Sequence, residues 1–173
     1  MFMASKYEDV YPLLMKTVFS KIGHKKIPVE AIRAKELEIL RVLGFKLGAP
    51  TSLEFLDRYI SEILFNHSDK QFIHLMSVYL AKMAVHHEQL CYKQSSLLGA
   101  ASVYVALKIC EQMRSKTILT REIYSNLLAA SEFKEQILVD TSKKLLYLAQ
   151  NFEKELPGLE NLKALYIPEL NNF

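Results

Sequence analysis

The amino-acid sequence predicts an all-α protein: helices bundled around one buried central helix. Three observations predict it. Apolar residues recur at spacings of three and four along most of the 173 residues, and strict alternation is scarce. Only five Gly and five Pro interrupt that pattern. Hydrophobic residues make up 50% and charged residues 24%, which suits a packed core and excludes intrinsic disorder.

The elements follow in order. Pro28 suits a first helical turn and Glu30 places a negative charge near its positive end. Ile32, Leu37, Ile39, Leu40 and Leu43 continue the stripe, and Gly44 reads as a left-handed terminator with Phe45 folding back on Leu40. The spacing predicts a helix over 28–43. Ala49-Pro50 breaks the chain, and Thr51-Ser52-Leu53-Glu54 is a capping box. Leu53, Leu56, Tyr59, Ile60, Ile63 and Leu64 then form an amphipathic stripe. Ser68-Asp69-Lys70-Gln71 reads as a second capping box, before Phe72, Leu75, Met76, Tyr79, Leu80 and Met83.

Ser95 to Cys110 is apolar on all sides and carries small Gly99, Ala100, Ala101, Ser102 and Ala106, the pattern of a buried helix with close neighbours. Thr120 caps a helix through Leu127 and Leu128. Ser131, with Glu132 and Glu135, is expected to open a long helix through Leu138, Leu145, Leu148 and Phe152, stopped by Pro157-Gly158. A short helical turn and a tail follow. From Thr51 to Leu156 this gives five helices, the third one buried.

Composition and motifs exclude several function classes. A formal net charge of +3 is too small to announce a nucleic-acid-binding surface. The longest uncharged run, Gln94 to Leu107, falls short of the ~20 apolar residues of a membrane span, and the start has no signal-peptide pattern. Two cysteines, Cys91 and Cys110, make neither a disulfide framework nor a Cys-x-x-Cys pair, so a soluble protein of a reducing compartment is expected. His24, His67, His74, His86 and His87 form no His-Glu-x-x-His, and no phosphate-binding glycine loop occurs. No catalytic residue, metal, cofactor or small-molecule substrate is therefore expected.

Ala4-Ser5-Lys6-Tyr7 returns as Ala101-Ser102-Val103-Tyr104, each followed by a short helix and then a longer one. Two helices precede the second copy and none precedes the first, and Met1-Phe2-Met3 starts apolar with no N-cap residue. The expectation is that the chain begins inside a buried helix whose preceding helices are absent.

Ala4-Ser5-Lys6-Tyr7-Glu8-Asp9-Val10-Tyr11-Pro12 closely resembles the end of the third helix of the cyclin box, which in cyclins reads Ala-Ser-Lys-Phe/Tyr-Glu-Glu, an aliphatic residue, then Tyr-Pro-Pro. Glu36 to Leu47 looks like the fifth helix and its exit, and Ala49-Pro50-Thr51-Ser52-Leu53-Glu54-Phe55-Leu56 looks like the linker into the second box of A- and B-type cyclins. Ser96 to Ile109 is similar to that box's central helix. The resemblance covers nearly the whole chain. It implies cyclin-box helical bundles: the C-terminal part of a first box over 1–47, a complete five-helix second box over 48–157, and a tail over 158–173.

The resemblance implies no enzyme but a regulatory subunit of a cyclin-dependent protein kinase in cell-cycle control, in the nucleus and cytoplasm. Such a subunit holds the kinase's C-helix inward, so that its Lys–Glu ion pair forms and the activation loop moves out. Matched position by position, the kinase-facing residues are Lys6, Tyr7, Glu8 and Asp9 with Leu14, Val18, Phe19 and Ile22. Asp9 stands where the family usually has Glu, one methylene shorter. Leu13, Leu14, Val18 and Ile22 are expected to be exposed on loosely packed helices. The family's first helix, which carries a groove for substrate motifs, has no counterpart here. Three alternatives stay open: a cyclin-fold transcription factor, a helical scaffold with no kinase partner, and an inactive shortened cyclin.

Overall fold

The computed structural model describes residues 2–64, 67–114 and 118–173; Met1, part of the apolar start, lies outside the described residues. Among the described residues every regular element is a helix. The chain divides into two compact units, Met1–Ala49 and Pro50–Phe173.

The first unit holds α1 (Phe2–Glu8), α2 (Met15–Thr17) running into a wide π-helical turn (Val18–Ile22), and α3 (Val29–Val42). Pro28 has the fixed φ of −59° that suits the start of α3, and its carbonyl accepts the Ile32 N–H at 3.1 Å. The far end closes as a Schellman motif: Gly44 at φ +57° donates to the Arg41 carbonyl at 3.0 Å and Phe45 to the Leu40 carbonyl at 2.8 Å. The backbone thus folds back as the sequence predicts, while the Phe45 ring stays exposed. α3 buries none of its residues, and Val18 is the one large apolar side chain of this unit, among the described residues, that is buried.

The second unit is built on α6 (Ser95–Arg114), which packs against α4 (Ser52–Ile63), α5 (Lys70–Val85), α7 (Arg121–Ser131) and α8 (Glu135–Gln150). The Thr51–Glu54 capping box forms: Thr51 Oγ1 accepts the Glu54 N–H, and Glu54 Oε1 accepts the Thr51 N–H at 3.2 Å. α4 buries Leu56, Tyr59 and Ile60, and α6 buries side chains all round, from Leu97 and Leu98 to Leu107 and Cys110. The small residues of α6 do what their size suggests. A Cβ on Gly99 would stand 3.0 Å from the Phe55 Cβ and the Ser52 carbonyl oxygen, so α4 reaches α6 only because that atom is missing.

Four expectations require correction. The second capping box does not form. Asp69, not Ser68, is the N-cap of α5, and its side chain makes no cap bond because the nearly buried carboxylate instead pairs with Arg114 Nε at 2.9 Å. Ser131 does not open α8. It is the last residue of α7, its hydroxyl bonds back to the Leu128 carbonyl at 3.2 Å, and Glu132 turns left-handed at φ +59° before α8 starts at Glu135. The long helix does not run through Phe152. It ends at Gln150, where the Asn151 side chain donates to the Tyr147 carbonyl at 2.9 Å, and a short α9 (Phe152–Glu155) follows. The segment 158–173 is more than a turn and a tail: it carries α10 (Glu160–Leu170), with Tyr166 and Leu170 buried. Pro168 lies inside that helix, which keeps its register through the bonds on either side.

Candidate docking surface

The residues matched to the kinase contact lie on α1 and the segment after it. The Asp9 N–H gives the last bond of that helix, to the Ser5 carbonyl at 3.0 Å. The chain then turns away, and the buried Ser5 hydroxyl accepts the Leu13 N–H at 2.8 Å, which ties the returning strand of loop to α1. Between these two bonds Glu8, Asp9, Val10 and Tyr11 project outward. Among the described residues Glu8 and Asp9 make no side-chain hydrogen bond or ion pair. Tyr11 precedes Pro12, which favours an extended backbone there, and its ring is 91% exposed.

The other matched residues divide. Leu14 is 71% exposed and Ile22 is exposed, Phe19 is half-buried, and Val18 is turned inward. Sequence spacing alone places Leu14, Val18 and Ile22 on one face of an α-helix. The structure separates them for two reasons. Leu14 is the extended residue before the first helical turn, at ψ 142°. The next turn is π-helical, closed by Gly23 N–H to the Val18 carbonyl at 2.7 Å, which shifts the phase of every side chain after Val18. That turn is capped by Lys25 N–H to the Phe19 carbonyl at 2.9 Å, with His24 and Lys25 both left-handed. π-turns of this kind occur disproportionately at functional sites.

Lys6 and Tyr7 are only partly free. Lys6 Nζ pairs with Glu36 Oε1 at 2.7 Å and sits 4.3 Å from the Phe2 ring centroid, so its charge braces α1 against α3. Tyr7 is exposed along one edge, and its hydroxyl lies 2.6 Å from where a Cβ on Gly48 would stand. Glu8, Asp9, Leu14, Phe19 and Ile22 therefore remain as the accessible part of the matched set, with Val18 internal. Val10 and Tyr11 are exposed neighbours that the sequence reading did not single out. The Tyr11-Pro12 pair was the available signal, since it forces the chain out of the helix just where two apolar residues fall. The arrangement offers carboxylates with free acceptor capacity beside exposed apolar side chains, a combination suited to a protein partner rather than to chemistry.

Four of the remaining reactive side chains, His67, His74, His87 and Cys110, are engaged in local structure or buried. His67 and His87 each accept, at Nδ1, the main-chain N–H two residues on, at 3.1 and 3.3 Å. His74 Nε2 bridges to Asp57 at 2.7 Å and links α5 to α4. Burial pushes the Cys110 thiol up, helped by the nearby Asp69 carboxylate, so it is a poor nucleophile at neutral pH. Among the described residues no three His, Cys, Asp or Glu gather as a metal site, and no helix is long and apolar enough to cross a membrane.

Comparison with known proteins bears on the second unit. Residues 50–160 match the family described as the cyclin C-terminal domain, which is the segment from the Thr51 capping box to the start of α10. G2/mitotic-specific cyclin-B1 of Oryzias latipes is 32% identical over 111 residues, 64% of this chain and 26% of that protein. Putative cyclin-F3-1 of Oryza sativa subsp. japonica is 30% identical over 106 residues, 61% of this chain and 27% of its own. G2/mitotic-specific cyclin-B1 of Xenopus laevis is 32% identical over 111 residues, 63% of this chain and 26% of its own. The matched region thus spans about a quarter of each of these relatives. With the family model matching residues 50–160, more than half of its length, the chain belongs to the cyclin family.

Proposed function

We propose that this chain is a regulatory subunit that binds and activates a cyclin-dependent serine/threonine protein kinase in cell-cycle control. In this reading it has no catalytic site of its own, and it acts in the nucleus and cytoplasm. Residues 1–47 supply the kinase-facing contact, and residues 48–157 form the second cyclin box. The observation that carries the reading is the accessibility of Glu8, Asp9, Leu14, Phe19 and Ile22, exposed or half-buried, with the two carboxylates unpaired among the described residues. Carboxylates so placed accept hydrogen bonds from a kinase backbone or a basic side chain, and the apolar group fills a pocket beside them. Binding is selective for the kinase conformation with its C-helix inward, and this differential affinity is what shifts the kinase toward activity.

The test is co-purification with a cyclin-dependent kinase, followed by histone phosphorylation. A charge-assisted bond is worth about 1.5–3 kcal/mol, so Asp9→Ala weakens binding roughly 10- to 150-fold. Phe19→Ala weakens it as well, while an exposed change in the second unit, Lys144→Ala, leaves it unaltered. Wild-type binding that survives both Asp9→Ala and Phe19→Ala unchanged would overturn the assignment of the surface. A wild-type chain that binds no kinase favours the scaffold reading.

A further inference from the structure

α10 is joined to the body of the second unit through Pro157 and Gly158, the latter at φ +86° with open space around it. It lies along one face of α5. Two aromatic contacts hold it there: Tyr166 on Tyr79, with ring centroids 5.5 Å apart, and Phe173 edge-on to Phe72 at 6.1 Å. Phe72 and Tyr79 are two helical turns apart on α5, and Tyr166 and Phe173 are equally spaced on the other segment, in the reverse direction. The two segments therefore run antiparallel with matched anchors. Lys82 adds its ammonium 5.1 Å from the Tyr166 ring centroid.

The polar contact at the Phe173 end is shared. Arg114 on α6 donates through Nη2 to the main-chain oxygen of Phe173 at 3.2 Å, and through Nε to Asp69 at 2.9 Å. Its guanidinium also stands 6.0 Å from the Phe72 ring centroid. The division matters energetically. If residues 160–173 lift away, Arg114 loses its bond to the exposed Phe173 main-chain oxygen but keeps the buried Asp69 carboxylate paired. Opening therefore orphans no buried charge; what it costs is the burial of Tyr166 and Leu170 and the Lys163–Glu153 pair at 2.9 Å. An eleven-residue helix interrupted by Pro168 has little stability of its own, so these contacts decide whether it is docked.

We propose that residues 157–173 are a displaceable strap, swinging on Pro157-Gly158 between a state latched at Arg114, Phe72 and Tyr79 and an open state that uncovers this face of α5. The strap is a conformational device of the second unit alone and does not depend on the kinase-binding assignment.

Hydrogen-exchange mass spectrometry on the full chain tests it. In the wild type, amides of 160–170 exchange through local opening, faster than the amides of α6. Phe173→Ala removes one aromatic anchor without touching the Arg114–Asp69 pair. It speeds exchange in 160–170 about three- to tenfold and leaves α6 unchanged, as loss of one aromatic pair implies. Tyr166→Ala does the same from the other anchor. Two results overturn the proposal: 160–170 exchanging as slowly as α6 in the wild type, or either variant accelerating both segments together, since each makes the segment part of one cooperative core.

Discussion

Gly99→Ala tests the packing of the central helix most directly, because two physical terms of known size oppose each other there. In a helix interior the change gains about 1 kcal/mol of backbone propensity. Against this, the new methyl meets the Phe55 Cβ and the Ser52 carbonyl oxygen at 3.0 Å and the Leu56 main-chain nitrogen at 3.1 Å. Two of the three are main-chain atoms of α4 that cannot rotate away, so α4 must shift bodily by a few tenths of an ångström. Overpacking of this kind costs about 1–3 kcal/mol. The balance is a net destabilisation of about 0–2 kcal/mol, and Gly99→Val, with two further methyl groups, loses more. Urea unfolding of the full chain followed by far-UV circular dichroism measures it. For a slope of about 1–3 kcal/mol/M, a loss of 1 kcal/mol lowers the second unit's midpoint by roughly 0.3–1 M. The reasoning is refuted if Gly99→Ala raises the midpoint by the full propensity gain, because α4 would then have room to spare.

Three further changes follow from the same structure. Ser102→Ala, one turn on in α6, removes a buried hydroxyl with no hydrogen-bond partner and is expected to stabilise by about 1–2 kcal/mol in the same urea assay. Glu111→Gln acts on the acid side. Burial alone would raise this carboxyl's pKa, but Lys108 and the N–H groups of Leu119 and Ile118 hold it lower overall. A depressed folded-state pKa contributes stability that is present above the ordinary carboxylate range and lost as pH falls through the folded value. The stability difference between wild type and Glu111→Gln should therefore shrink on acidification, as thermal melts across pH will read. Tyr124 acts on the alkaline side. Burial and its hydrogen bond to Glu135 push its pKa up to about 12, so its contribution is intact below the ordinary tyrosine value and is lost as pH rises through the raised one. Burial also raises Tyr59 and Tyr79, so phenolate absorbance should show several late-titrating tyrosines with one fewer in Tyr124→Phe, and the variant should lose less stability than wild type over that interval.

The core helices α4 and α6 of the second unit were the most legible part of the sequence, and the reason is burial. In α4 and α6 most apolar residues answer to a partner, so periodicity and side-chain size translate directly into contacts. α3 carries a recognisable stripe and caps, yet buries none of its residues, so its sequence specifies the helix without specifying what covers it. Where local signals failed, a long-range partner had taken the group that the local motif needed. Asp69 was drawn from capping to Arg114, forty-five residues away in sequence, and no window around Ser68 contains that information. The separation of Leu14, Val18 and Ile22 was hidden for a related reason: Leu14 stands before the helix and a π-turn breaks the phase after Val18, so four-residue spacing does not hold them on one face.

The repeated Ala-Ser-x-Tyr motif shows how far a sequence resemblance carries and where it stops. It correctly marks two helices in which the serine faces inward, since Ser5 and Ser102 are both buried. Their hydroxyls nevertheless differ. α1 ends three residues after Ser5 and the chain returns across it, so the Leu13 N–H finds the hydroxyl at 2.8 Å. α6 continues to Arg114, nothing returns, and Ser102 Oγ is left without a partner. The motif fixes the direction of the side chain and the following residues decide its bond. The same division governs the docking surface. The helix that ends at Glu8 sets where Glu8 and Asp9 project, and the early stop that leaves Ser5 to hold Leu13 is also what throws Val10 and Tyr11 outward beside them. Ser5→Ala therefore tests both roles at once: loss of that hydrogen bond should loosen the loop and weaken kinase binding, even though Ser5 itself is buried.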